Sequence, residues 1–387
     1  MKNISNKTKR ECCGCLACVH RCPKNAIEIS YDEEGFVYPK VNDELCISCG
    51  ICSATCRFSN KENVINSFSL ENIYAAKNKD DSIRKRSASG GMFSYISDIV
   101  LERQGVIYGC ILTKQNEAMH IRATKHDQRD LMCGSKYVQS NMEDVYRRVE
   151  ADLETGRMVL FTGTPCQLGG LRGYLRKTYS ELYLCDIICH GVPSPKIYKE
   201  YIAILEQKYH SSVDIMMFRD KSKGWINQFW TVVFQNKHKI SNTRLILMFK
   251  KLFYNHYIIR PSCHNCVYSN MNRISDITIG DFWGIREFDI DMYDSLGVSL
   301  VILNSKKGKE LFLEYSDRIE IKRVEDGSYL QPQLQHPTTP AYDRAEFWDE
   351  YHRKGFMRAM KKYGRLDRKT KLKLLIPTCV KDKLKKR

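Results

Sequence analysis

Two cysteine runs constrain this chain more than any other feature. ECCGCLACVHRCP (Glu11 to Pro23) and CISCGICSATC (Cys46 to Cys56) place nine of its 17 cysteines in the first 56 of 387 residues. Cys12, Cys15, Cys18 and Cys22 have the spacing C-x2-C-x2-C-x3-C, followed by Pro23. Cys46, Cys49, Cys52 and Cys56 repeat it, with Arg57 where the first run has proline. Short steps let three thiolates wrap one compact centre, while the longer step and the proline turn the fourth toward a second centre. Zinc also takes C-x2-C pairs, but a four-ligand zinc site gains nothing from three consecutive short steps. Disulfides fit less well. The N-terminus MKNISNKTKRE has no apolar signal core, so the expectation is a reducing cytoplasm with cysteines used for metal ligation or redox chemistry.

The spacing resembles that of bacterial two-cluster ferredoxins, in which the fourth cysteine of each run ligates the other cluster. The resemblance implies that Cys12, Cys15, Cys18 and Cys56 hold one [4Fe–4S] cluster, and that Cys46, Cys49, Cys52 and Cys22 hold the other. Between the runs, AIEIS, DEEG and FVYPKV read as strand, turn and returning strand. Cys13 is the spare cysteine and reads as a bystander.

The length suggests two or three domains with ample chain for a core, and no run approaches the ~18 consecutive apolar residues of a membrane helix. The net charge of +17 is uneven: Arg353 to Arg387 holds 15 Lys or Arg against two Asp, which leaves +4 for the other 352 residues. Basicity belongs to the tail. Its basic residues alternate with Phe356, Met357, Met360, Leu366, Leu372, Leu374, Leu375 and Ile376. Such a helix suits an anionic membrane surface or an acidic partner; the competing reading, a helix packed on the body with a solvated face, is the one preferred. No module signature for nucleic acid is present.

In the middle of the chain IYAAKN and VIYGCIL read as strands, flanking RSASGGMFSYISDIVLERQG, a glycine-rich turn that opens an amphipathic helix. Ser87 and Ser89 before Gly90-Gly91 suit a helix N-terminus, where free amides bind phosphate; a tight turn with a serine cap accounts for the same residues. RMVLFTGTPCQLGGLRGYL reads as strand, turn and helix, and its glycine-containing loop suits a dinucleotide pyrophosphate without being G-x-G-x-x-G or a Walker loop.

Seven pieces occur in order between Ser87 and Gly284: SASGG, GSKYVQS, FTGTPCQ, CHGVPSP, FRDKSKGW, a C-x2-C pair and DITIGDFWG. Together they resemble the family of the beta subunit of coenzyme F420 hydrogenase/dehydrogenase. The resemblance implies FAD, at least one further [4Fe–4S] cluster, and electron exchange with a deazaflavin such as coenzyme F420 or another organic acceptor. It assigns Ser89, Gly90, Gly91, Gly163, Thr164 and Pro165 to the flavin cradle, with Ser135, Lys136 and Tyr137 adding charge and a ring. Asp276, Gly280 and Asp281 would shape the pocket. His190 is the candidate proton donor, with a hydrogen-bonding role in its turn equally open. Cys166, Cys189, Cys263 and Cys266 are the expected ligands of a third cluster; structural zinc or a reactive Cys166 compete. Cys185 reads as a core residue, Cys110 and Cys379 as buried or incidental, and Cys133 carries no assignment.

The expected fold class is α+β followed by α/β. Residues 1–66 form a small two-cluster ferredoxin-like domain, and 67–156 and 157–335 the N- and C-terminal segments of an α/β flavin domain with a mixed sheet. Residues 336–387 form a basic helical tail. The expected function is an iron–sulfur flavoprotein oxidoreductase that exchanges electrons or hydride with an organic substrate, served by ferredoxin or another redox protein. The rivals are a module that oxidises reduced F420, a non-catalytic subunit that wires a partner enzyme, and a zinc-stabilised scaffold.

Overall fold

The computed structural model describes residues 3–58 and 69–375; Cys379 and Ile376 lie outside them. The small domain is two short helices and a hairpin: α1 (Ala17–His20), β1 (Ile27–Tyr31), β2 (Val37–Val41) and α2 (Ile51–Thr55). The hairpin is antiparallel with Ile27 opposite Val41 and Tyr31 opposite Val37. The Phe36 amide donates to the Asp32 carboxylate at 2.8 Å, and Gly35 takes the left-handed conformation that closes the turn. One small cluster within it joins Ile4, Ile27 and Cys52, ringed by Cys18, Val19, Cys22 and Val41, while Cys13, Ala17 and Phe58 pack with the large domain.

The large domain begins with β3 (Ile73–Asn78), α3 (Asp81–Arg86), α4 (Met92–Glu102), β4 (Val106–Leu112), β5 (Ala118–Ala123), α5 (His126–Asp130) and α6 (Val145–Glu154). It continues with β6 (Val159–Gly163), α7 (Pro165–Leu175), β7 (Leu182–Ile187), α8 (Pro195–Tyr209), β8 (Val213–Asp220), β9 (Phe229–Phe234), β10 (Lys239–Ser241) and α9 (Arg244–Tyr254). Then follow β11 (Ile277–Asp281), α10 (Ile285–Phe288), β12 (Ser299–Leu303), α11 (Lys306–Leu313) and β13 (Ile319–Arg323). The helices α12 (Arg344–Lys354), α13 (Phe356–Tyr363) and α14 (Arg368–Leu375) complete it.

Eight strands form one mixed sheet in the order β13-β3-β12-β11-β7-β6-β4-β5. The centre is parallel, through β11/β7, β7/β6 and β6/β4. Both flanks are antiparallel. Strand alternation sorts the two faces. Ile107, Leu160 and Cys185 pack with α4 and with Leu311 and Phe312 of α11. Val106, Tyr108, Val159, Phe161, Leu182 and Leu184 pack with α6 and α7. The two sequence segments of the large domain thus share one sheet, since β3 pairs with β12 and β13.

An antiparallel three-stranded sheet, β10-β9-β8, packs with α8, α9, α12 and α13 around Trp230, Phe218, Tyr201 and Phe249. The basic tail joins this core through Phe356, Ala359 and Met360, with Leu374 packed against its edge and Leu372 exposed. Among the described residues no helix is long and apolar enough to cross a membrane.

One buried ion pair fixes the segment that carries the last cysteines. Arg273 donates to Asp186 of β7 at 2.8 Å and also to the Tyr268 carbonyl at 2.9 Å, with both charges excluded from solvent. Asp186→Asn leaves a guanidinium buried without its counter-ion, and is expected to destabilise the protein by about 3–5 kcal/mol, read as a lowered melting temperature and denaturation midpoint.

Candidate functional site

Each cysteine run folds as a loop entering a short helix, so the third cysteine sits on α1 or α2 while the first two lie in the loop. Leu16 and Gly50, the residues before the two helices, are left-handed. The fold brings Cys56 of the second run to Cys12, Cys15 and Cys18. Burial pushes the thiols of Cys12 and Cys18 up first, and the neighbouring thiols, Cys56 among them, push them further. Cys22 in turn joins Cys46, Cys49 and Cys52 around a small apolar cavity also walled by Ile27 and Val41. N–H donors already face several of these sulfurs: the Ala26 amide at 3.3 Å from Cys22 Sγ and Lys7 Nζ at 3.0 Å from Cys56 Sγ.

The small domain docks on α7. That helix carries Gly169, Gly170 and Gly173, in the stretch QLGGLRGYL that the sequence marks as helical. They serve close packing. A Cβ on Gly170 would lie 2.9 Å from Cys15 Sγ, one on Gly173 would lie 2.0 Å from the Thr55 carbonyl, and one on Gly169 would meet the Tyr268 hydroxyl. Farther out, Ser194 Oγ donates to the Glu34 carbonyl at 2.5 Å, and Arg344 of α12 pairs with the Glu34 carboxylate.

Beside the first ferredoxin quartet lies a second group of thiols from three separate segments. Cys166 is in the first turn of α7, Cys189 follows β7, and Cys263 lies within a 3-10 turn (Pro261–Asn265) that Cys266 caps. Burial raises Cys189, Cys263 (to about 12) and Cys266, and each is raised further by its neighbours in this group. Cys166 runs the other way, to about 7, chiefly because the Cys13 thiol hydrogen-bonds to it. Cys13 bonds Cys15 as well, so the spare cysteine sits between the two groups. Among the described residues no three His, Cys, Asp or Glu side chains converge tightly enough to hold a single metal ion.

Cys189 also walls a cavity of about 390 Å³ at the C-terminal ends of the parallel strands, where open α/β sheets bind ligands. Of the residues assigned to a flavin cradle, Ser89, Gly91, Ser135, Lys136, Tyr137, Gly163, Thr164 and Asp281 line it. Gly90 and Pro165 do not. The Gly90 amide donates to Ser299 Oγ at 3.0 Å, and a Cβ there would strike the Ala76 carbonyl, so its smallness serves the sheet. Pro165 is the first residue of α7.

The two helix N-termini at the cavity differ. Thr164 and Gln167 form a capping box that occupies the first turn of α7. Gly91 caps α4 without a side chain, leaving its first amides open. Lys136 is half-buried, with Nζ donating to the carbonyls of Leu131 at 3.1 Å and Cys133 at 2.8 Å; desolvation of the ammonium brings its pKa down to about 8. Tyr137 stacks on Phe253 at 4.9 Å. Asp281 accepts from Arg219 Nη1 and Trp225 Nε1, both at 2.7 Å, and Asp276 is buried away from the cavity, accepting from the Leu184 amide. His190 lines the cavity and stays neutral, because burial pulls its pKa down to about 4. Gln333 donates to its Nδ1 at 3.2 Å, and its Nε2 lies 3.0 Å from His256 Nε2, whose Nδ1 donates to the Thr339 carbonyl. Cys110, Cys133 and Cys185 line the same cavity.

Sequence reasoning missed Arg260, Gln139, Arg219, Lys221 and His256. Lys221 is held by the carbonyls of Arg84 and Ser89 and so braces the SASGG turn. Its block, FRDKSKGW, was visible in the sequence, but no spacing rule pointed to this residue.

Three family models match the chain. The 4Fe-4S dicluster domain covers residues 11–60. The coenzyme F420 hydrogenase/dehydrogenase beta subunit matches by its N-terminal part over 73–147 and by its C-terminal part over 156–327. No curated protein matches. Among solved structures, the chain is similar to one from a xenon derivative of the F420-reducing [NiFe] hydrogenase complex of Methanosarcina barkeri. The identity is 17%, over 78% of this chain and 92% of that one, with a TM-score of 0.47.

Proposed function

Because this chain belongs to the coenzyme F420 hydrogenase/dehydrogenase beta-subunit family and carries a 4Fe-4S dicluster domain in front, we propose that it is an iron–sulfur flavoprotein oxidoreductase. Electrons pass between the two ferredoxin clusters, a third cluster and FAD, and then to or from an organic substrate. The observation that carries this reading is the unbroken series of thiol groups running from the small domain to the wall of the large cavity. When bound, clusters exchange single electrons and a flavin exchanges single electrons or a hydride.

The protein's own groups then have defined tasks. The open amides after Gly91 receive a phosphate group at the N-terminus of α4. Lys136 has three N–H donors, two of them held by carbonyls, which leaves the third for an acceptor on the cofactor. Lys136→Met is expected to weaken flavin retention about ten- to hundredfold, since a charged hydrogen bond contributes about 1.5–3 kcal/mol; fluorescence of released flavin measures it. His190, neutral and oriented by Gln333 and His256, holds a proton at Nε2. The exposed partner is another redox protein or subunit.

The test is to purify the whole chain without oxygen and assay iron, sulfide and flavin. About 12 iron atoms and one FAD per chain are expected. Iron without flavin favours the second reading, an electron-transfer subunit serving a partner enzyme. Zinc in place of iron removes both.

A further inference from the structure

Arg260 is the most deeply buried charge between the two domains. It precedes the turn that carries Cys263, and its side chain is fully excluded from solvent. It reaches out of the large domain into the small one. Nε donates to the Cys12 carbonyl at 2.9 Å, Nη2 to the Val37 carbonyl at 2.8 Å, and Nη1 to Gln139 Oε1 at 3.0 Å. Nη2 also stands 3.9 Å from Cys12 Sγ, and the guanidinium lies 4.2 Å from the centre of the Tyr38 ring. Gln139 completes the clamp by donating to the Cys13 carbonyl at 3.2 Å. Gly14 makes room for it, since a Cβ there would lie 2.7 Å from Nη1.

All these hydrogen-bond partners are neutral, and among the described residues no carboxylate pairs with Arg260. An unpaired buried cation is strongly unfavourable, so charges in protein interiors are paired. The negative charge within its reach belongs to sulfur on both sides of the domain boundary. Cys12 of the ferredoxin quartet lies 3.9 Å from Nη2, and Cys263 of the other follows three residues on, its amide donating to the Arg260 carbonyl at 2.9 Å. The Cys13 hydrogen bond first, and then the same charge, lower the pKa of Cys15 and Cys166. A thiolate-bound cluster is anionic and gains one more negative charge on reduction.

We propose that Arg260 is the shared counter-ion of the cluster at Cys12, Cys15, Cys18 and Cys56 and the centre at Cys166, Cys189, Cys263 and Cys266, favouring the reduced form of both. This rests on reading the two quartets as cluster sites. Arg260 is a positioning and potential-setting residue: it touches a ligand cysteine and the backbone, with the electron passing between the centres it flanks. The cluster at Cys22, Cys46, Cys49 and Cys52 has no member among the thiols named above and serves as the internal control.

The experiment is a redox titration followed by electron paramagnetic resonance, on full-length protein purified without oxygen, after iron analysis. Arg260→Gln keeps donors and removes the charge. Reduction of both flanking centres is expected to become at least tenfold less favourable, 59 mV for a one-electron couple, while the control cluster moves less than threefold. Arg260→Lys keeps the charge and is expected to stay within threefold of wild type. A fully iron-loaded Arg260→Gln protein with unmoved midpoints overturns the proposal and leaves the cluster reading standing; wild-type protein without iron at these sites removes both. If the Gln variant fails to load, Arg260→Lys decides, because a tenfold shift with the charge retained also overturns it.

Discussion

Cys189→Ser is expected to remove about a third of the iron, ~4 of ~12 atoms per chain, and to disconnect the ferredoxin clusters from the large cavity. Cys189 is the one member of its quartet that belongs to the cavity wall. Serine preserves the shape of the side chain while replacing a soft thiolate by a hydroxyl that binds iron–sulfur centres poorly. The signals of the first two clusters should persist, because their eight thiols come from the small domain alone. Reduction of bound flavin by a low-potential donor should fall to the background of direct reaction. Iron and sulfide assays with stopped-flow absorbance measure both. Unchanged iron in this variant would mean that the four thiols do not hold a cluster.

Gly173→Val should have the opposite signature: iron retained, electron delivery lost. Even a methyl group at this position would sit 2.0 Å from the Thr55 carbonyl and 3.0 Å from Arg57 Cγ, and Thr55 directly precedes Cys56. The obstacle is backbone, which cannot rotate aside. Overpacking of this kind costs about 1–3 kcal/mol, and the least costly relief is to lift the small domain off α7. The melting temperature should drop by a few degrees, and cluster-to-flavin transfer should slow far more than that drop implies. Gly327→Ala, whose Cβ would meet only Leu330 at 4.0 Å, is the matched control and should change neither. Wild-type transfer rates in Gly173→Val would show that close docking is not what joins the two domains electrically.

How much of this was legible in the sequence depends on how local the determinants are. The hairpin, the strands at IYAAKN and VIYGCIL, the helix after SASGG and the two cysteine runs were readable because the pattern within each short segment marks it, even where, as for IYAAKN, the pairing strands are distant. The gathering of Cys166, Cys189, Cys263 and Cys266 was reachable only through family resemblance, since three segments contribute and no spacing links them. The glycines of α7 were readable as helical, but what they face, the small domain and Tyr268, was not, because those partners lie far away in the sequence. Arg260 left no trace at all. Its partners Cys12 and Val37 lie more than 200 residues away, and one arginine before a proline forms no pattern. The aromatic core around Trp230 was missed for a like reason, as it joins β8–β10 to helices from both later parts of the chain.

The placing of β3 has a bearing on how the protein matures. This strand follows closely on the small domain, yet its neighbours in the sheet are β12 and β13, with Ile73 opposite Ile302 and Asn78 opposite Ile319. On the ribosome, all eight ferredoxin thiols emerge long before the sheet can close, and such distant pairing is slow. The sheet therefore cannot close around β3 until the last third of the chain has been made, whereas α7, on which the small domain docks, is already available by residue 175.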